Sequence, residues 1–164
     1  MTPNVDIRPA VPADRATVED LLVRSWHATW APHLPADAAQ RFAREAPVAG
    51  YLDTALPLLE LAVGSGCVLG VLHREGDELV TLEVEPGFKR RGIGRRLLAH
   101  AEAAGARTLE VRAFNLDAIA FYERRGWRRV AAFEASEMGV PALTCAYRRP
   151  ARAADGPTPA AGSW

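Results

Sequence analysis

Apolar and polar residues alternate in Val5-Asp6-Ile7-Arg8, the period of a half-buried strand, until Pro9 and Pro12 end the run. The period then lengthens. Val18, Leu21, Leu22 and Trp26 form one helical stripe, for which Asp14 is a suitable N-cap. Residues 30–47 hold three prolines and one amphipathic piece near 38–42, so loop plus a short helix is expected there. Residues 58–63, 67–73 and 79–85 read as strands, divided by Gly64-Ser65-Gly66 and Glu75-Gly76-Asp77, both suited to hairpin turns. Beyond Pro86, Ile93, Leu97, Ala101 and Ala104 recur at helical spacing, and Gly105 is placed to terminate them. Residues 108–113 alternate again, with Leu109, Val111 and Ala113 on one face and Glu110 and Arg112 on the other. A helix over 116–125 stops at Gly126, and strands over 127–132 and 143–147 complete the pattern. The predicted class is α/β (α+β): one mixed, largely antiparallel sheet of about seven strands flanked by helices.

A chain of 164 residues suits one domain with its own core. Its expected bounds are 1–149. Residues 150–164 contain ten Ala, Pro or Gly and one bulky apolar residue, too little to order a segment, so a disordered tail is expected. Basic and acidic residues number 20 each, and a net charge of zero argues against a nucleic-acid partner. The most apolar stretch, 61–72, is interrupted by glycines and too short to cross a bilayer, so no membrane partner is expected. No signal-peptide pattern opens the chain, which makes the cytoplasm the expected location. Cys67 and Cys145 stand alone in apolar runs and read as reduced core residues. His27, His33, His73 and His100 lack ligand spacing, so no metal is expected. Of the 20 basic residues 19 are arginine, and the single lysine is Lys89.

That lysine opens the sharpest local signal, Lys89-Arg90-Arg91-Gly92-Ile93-Gly94-Arg95-Arg96, set between a strand end and a helix start. Five cations lie in these eight positions, and no acid occurs from Gly87 through Ala101. Glycines there let backbone approach a ligand, and first-turn N–H groups point outward, which suits a pyrophosphate. A dinucleotide fingerprint fails because the third glycine is missing after Gly94, and a P-loop fails because Ile93 and Gly94 follow Gly92. An ordinary strand-to-helix turn with a solvated basic face would use the same residues.

A second motif follows, Asn115-Leu116-Asp117-Ala118-Ile119-Ala120-Phe121-Tyr122-Glu123-Arg124-Arg125-Gly126-Trp127. With Val84-Glu85-Pro86 and the glycine loop before it, the chain resembles the GCN5-related N-acetyltransferases, the GNAT superfamily. The likeness is close over residues 78–127 and loose before them. One departure is Lys89, where the family usually has Gln or Arg; lysine keeps the charge and loses the planar fork.

The resemblance implies acetyl-CoA as cosubstrate and an amine, of a small molecule or a protein, as acceptor, joined directly in a ternary complex. It implies that the strands on either side of the glycine helix splay. The pantetheine arm then bonds the backbone of Leu82 and Val84, and the pyrophosphate meets the N–H groups of Arg90, Arg91, Gly92, Ile93, Gly94 and Arg95, with the Lys89 charge at the motif's first position. Tyr122 is implied as the general acid. Asn115 lies seven residues earlier, nearly two turns, so both face one groove, with the small Ala118 between them. Asn115 is equally a preferred N-cap. A general base is expected among Glu78, where histone-type members place theirs, Glu110, where bacterial protein N-terminal acetyltransferases do, and Glu83 behind them. Strand parity sets Glu83 opposite Glu78. Trp26, His27, Trp30 and Tyr51 are candidates for the acceptor pocket, with core packing as the competing role. A non-catalytic CoA-binding regulatory module is the alternative function. A nucleic-acid binder would need the further cations Arg124, Arg125, Arg128 and Arg129. Monomer and homodimer both stay open.

Overall fold

The computed structural model describes residues 4–151, so all but the first two residues of the expected tail lie outside it. The elements run β1 (Asp6–Pro9), α1 (Arg15–Thr29), α2 (Ala36–Glu45), α3 (Pro47–Ala55), β2 (Leu59–Gly64), β3 (Cys67–Glu75) and β4 (Glu78–Val84). They continue with α4 (Ile93–Ala103), β5 (Thr108–Arg112), α5 (Leu116–Glu123), β6 (Arg128–Glu137) and β7 (Val140–Arg148). One seven-stranded sheet has the order β1-β2-β3-β4-β5-β7-β6. Every pairing is antiparallel except β4 with β5.

The sheet buries both faces, each against its own helices. Val18, Leu21 and Leu22 of α1 pack with Leu52 and Ala55 of α3 over Leu59, Leu61 and Val71. On the other face, Ile93, Leu97, Leu98 and Ala101 of α4 meet Leu72, Leu79, Leu109, Val111 and Tyr147, with Tyr122 and Trp127 closing the edge. Gly70 makes the second contact close. A Cβ there would stand 2.8 Å from Leu97 Cδ1 and 3.1 Å from the Glu83 carbonyl, so a larger residue would have to displace the Leu97 side chain and press on β4.

Several expectations change. Asp14 does not cap α1; its carboxylate accepts from the Val11 N–H at 2.8 Å and from both Arg8 guanidinium nitrogens. That Arg8 fork, more than the Val11 bond, holds the Asp14 carboxyl below its usual range. Cys67 is exposed, because it is the first residue past the Ser65-Gly66 turn and pairs only with Gly64; Cys145 is buried, and both are free thiols. His100 bonds Glu60 at 2.6 Å. The final hairpin is longer than its pattern suggested, turning at Met138 and Gly139, both of positive φ. Its tip reaches across the sheet: Trp26 Nε1 donates to Glu137 at 3.1 Å, and Arg41 donates to the Met138 carbonyl at 3.3 Å.

Among the described residues no helix is long and apolar enough to cross a membrane, and no group of three His, Cys, Asp or Glu could hold a metal ion.

Candidate active site

The parallel pair β4–β5 lasts for two rungs, Glu78 with Thr108 and Leu79 with Leu109, and then separates. On its other edge β4 stays paired with β3 to Val84, and the next N–H, of Glu85, donates to the Leu69 carbonyl at 2.9 Å. Backbone groups of an antiparallel pair alternate in direction. Those of Glu83 and Glu85 therefore point at β3, and those of Leu82 and Val84 point into the opening. Unpaired strand backbone needs a partner, and these are the residues expected to bond an extended amide-bearing arm.

Two cavities meet in the opening. The first, about 590 Å³, lies between the start of α4 and the end of α5. The second, about 380 Å³, lies on the α1 face of the sheet. Leu82, Glu83, Asn115, Ala118 and Tyr122 line both, so the split connects them.

The first cavity is cationic. Lys89, Arg90, Gly92, Gly94 and Arg95 line it from one side, Arg124 and Arg125 from the other. Arg90 (φ 61) and Gly92 (φ 81) are both left-handed, and Gly92 caps α4 with no side-chain bond to the helix. The first-turn N–H groups are thus left for an outside acceptor. The side chains of two motif residues point away, Ile93 into the core and the Arg91 guanidinium over the Phe88 ring at 4.9 Å, so backbone N–H is what either is expected to offer. The Lys89 ammonium donates to Thr29 at 3.3 Å. Arg125 stacks over Phe121 at 3.9 Å and donates to its carbonyl at 2.9 Å. Burial, and then the charges of Arg95 and Arg124, pull its pKa down. Cations crowded in this way favour a bound polyanion, so the residues present fit a phosphorylated cosubstrate.

Glu83 and Tyr122 stand at the junction. The Ser25 hydroxyl, on buried α1, donates to the Glu83 carboxylate. Burial pushes the Glu83 carboxyl above its ordinary range, with the Ser25 bond and the Lys89 charge only partly opposing it. Tyr122 is 8% exposed, and burial first, then the Glu83 charge, push its phenol well above the ordinary value. No hydrogen bond to the Tyr122 hydroxyl forms among the described residues. Asn115 caps α5, accepting from the Ala118 N–H at 3.2 Å, and it lines both cavities.

The second cavity has apolar walls from Leu22, Trp26, Trp30, Val48 and Val80, and acidic ones from Glu78, Glu83 and Glu110. The parity expectation fails here. Between Leu79 and Thr81 the register shifts by one residue against β3, which inserts Val80 as a bulge. Counting through the bulge, Glu78 and Glu83 share a face, and both line this cavity. His27 and Tyr51 do not line it: His27 packs edge-on to Trp26 and Phe42, and the Tyr51 hydroxyl bonds His73 Nδ1 and Thr81 Oγ1.

Residues 15–127 match the model of the Acetyltransferase (GNAT) family, and the chain belongs to that family. Over 55 residues it is 49% identical to the ribosomal protein bS18-alanine N-acetyltransferase of Salmonella typhimurium, covering 30% of this chain and 37% of that protein. The chain thus spans well under half the length of that curated relative. The apo form of YjaB from Escherichia coli superposes with a TM-score of 0.75 at 24% identity, covering 88% of this chain and 96% of that one. The PaiA N-acetyltransferase of Thermoplasma acidophilum, solved in complex with coenzyme A, superposes with a TM-score of 0.68 at 18% identity, covering 90% and 99%. At these identities the two structures establish the fold.

Proposed function

We propose that the protein transfers acetyl from acetyl-CoA to a primary amine by direct attack in a ternary complex. The observation that carries this reading is the junction: a buried tyrosine and a desolvated glutamate line both a cationic cavity and an acidic one. Bound acetyl-CoA supplies an acetyl group already activated as a thioester. The start of α4 with Lys89, Arg90 and Arg95 holds the pyrophosphate, and the backbone of Leu82 and Val84 aligns the arm. Glu83 takes a proton from the acceptor ammonium, whose lone pair is then free to form the new N–C bond. As the C–S bond breaks, the Tyr122 hydroxyl delivers a proton to the departing sulfur. The attacking nitrogen loses its second proton as the amide forms, and that proton makes good the one Tyr122 gave to sulfur; the proton on Glu83 returns to solvent through the acceptor cavity, so each turnover releases amide, thiol and one proton.

CoA at about 100 times its Kd is expected to raise Tm by about 5 °C, read by calorimetry or dye fluorescence. Gly94→Glu puts an anion into the cationic cavity, where a Cβ meets neighbours no closer than 3.6 Å, and is expected to abolish the shift without unfolding the chain. No shift in the parent protein overturns the cosubstrate assignment. A non-catalytic CoA-binding module gives the same shift and no thiol release with any amine.

A further inference from the structure

The sheet ends in two edges of opposite character. β1 is four residues long and stops at Pro9, a length and a residue that both discourage further pairing. β6 is ten residues long, holds no proline or lysine, and is exposed from Arg128 through Glu134. Val130 is 61% exposed and Phe133 40%, and among the described residues nothing pairs with this edge. A bare edge of that length is a template for another strand. Its one protection is the bulge at Val130, which lies near one end and leaves residues 131–137 regular.

The register of β6 on β7 fixes which groups face outward. The two strands join through Met138 and Gly139, both of positive φ, and Glu137 pairs with Val140, as in a two-residue hairpin. The closing pair of such a hairpin is hydrogen-bonded, and backbone direction alternates from there. Ala132, Glu134 and Ser136 therefore turn their N–H and C=O groups to the open edge. The far side of β7 agrees: the Leu143 carbonyl accepts from the Ala113 N–H, so Glu134, opposite Leu143, receives no ladder bond from it. Side chains divide between the two faces. Phe133 lies opposite Thr144, which Arg112 bonds on the acceptor-cavity face. Arg129 and Ala132 lie opposite Tyr147 and Cys145 of the core beneath α4, and Glu134 shares that face. Neither Arg129 nor Glu134 has an ionic partner among the described residues.

We propose that β6 pairs antiparallel with β6 of a second copy of this chain, about a two-fold axis at Phe133, and joins the two sheets into one. In this register the outward groups of Ala132 and Glu134 exchange hydrogen bonds with those of the partner's Glu134 and the partner's Ala132. The two Phe133 rings meet at the axis in a non-hydrogen-bonded pair, where opposed Cα atoms stand about 4.5 Å apart and aromatic rings can pack. Ala131 faces the partner's Ala135, and both are small enough to clear the rings. On the other face Glu134 lies against the partner's Ala132, and the partner's Arg129 stands diagonal to it, within reach of a long side chain. Symmetry forms each of these contacts twice. The neighbouring register that also matches outward groups sets Glu134 against the partner's Glu134, a repulsive pair. The edge is thus complementary to itself in charge and shape, which selects a second copy as its occupant. This pairing stands apart from the acetyl-transfer reading and would leave both acceptor cavities on one side of the joined sheet.

Sedimentation velocity on the full chain across a concentration series is expected to show a reversible monomer–dimer equilibrium. Phe133→Lys sets two ammonium groups against each other at the axis and is expected to weaken dimerisation by at least about tenfold. Ala132→Pro removes an outward N–H that the β7 ladder does not use, and a comparable loss is expected. Both positions are exposed, and circular dichroism checks that each variant is folded. Arg129→Glu alters two symmetric contacts at once and is expected to weaken the dimer about tenfold, while Arg129→Glu/Glu134→Arg returns it to within about threefold of the parent. A local disturbance of β6 would not be repaired by the second exchange. A parent chain that stays monomeric up to about 1 mM overturns the proposal. So does a dimer that Phe133→Lys leaves intact, or one that the charge exchange fails to restore. None of these readouts depends on acetyl transfer, so the two readings fail separately.

Discussion

Tyr122→Phe is expected to lower kcat by at least about tenfold, within the range a positioned general acid contributes, while CoA binding and Tm stay nearly unchanged. The second half of that outcome follows from the geometry. The hydroxyl bonds nothing among the described residues, so its removal breaks no hydrogen bond in the resting protein, and the ring keeps its packing beside Phe121 and Trp127. The loss appears only when sulfur departs, because phenylalanine has no proton to give. Burial and the neighbouring Glu83 charge keep the phenol protonated above its ordinary range. Between neutrality and about pH 9, the parent's kcat is therefore expected to show no alkaline fall from this group. Steady-state thiol release with parallel CoA titrations separates the effects. An unchanged kcat removes Tyr122 from the reaction.

Much of this site could be read along the chain because its parts are contiguous. The glycine turn, the α4 stripe and the stretch from Asn115 to Trp127 each express a local rule of period or turn chemistry, and they fold where those rules place them. What escaped was set by contacts between distant segments or by a single displaced residue. Helix α3 begins at Pro47 and contains Gly50, so its sequence looks like loop; its stability comes from Leu52 and Ala55 packing on α1 and β2. Strand β6 lies at the sheet edge and is exposed along most of its length, so no alternation marks its extent. The bulge at Val80 leaves composition untouched and inverts the parity of everything after it, which brings Glu83 to the face assigned to Glu78. Ser25 belongs to no motif and reaches the site only because α1 borders the split, and Arg125, at a motif position with no assigned role, reaches it because the end of α5 does. A glutamate on a strand paired with a serine on a helix 58 residues earlier leaves no local signal.

Glu83→Gln is expected to have the largest effect on the acceptor side, lowering kcat/KM by about 100-fold or more at neutral pH. Glutamine can still accept from Ser25 and fills the same space, so the change removes the base and little else. In the parent, kcat/KM should fall with acidification through a pKa above the ordinary carboxylate range, because burial raises Glu83 and Ser25 and Lys89 only partly oppose it. In the variant that acid limb disappears. Stability should change with the opposite sign to activity. A carboxyl whose pKa is higher folded than unfolded costs nothing when protonated in both states, below about pH 4. Its ionisation destabilises the fold increasingly as pH rises through the folded value. Glu83→Gln should therefore raise Tm at neutral pH, with the gain vanishing as pH falls toward that of the unfolded carboxyl. A merely structural glutamate would produce the stability pattern without the loss of the acid limb, so pH–rate profiles on both proteins decide the role. Survival of the limb in Glu83→Gln transfers it to Glu78 or Glu110, whose own Gln variants would then abolish it.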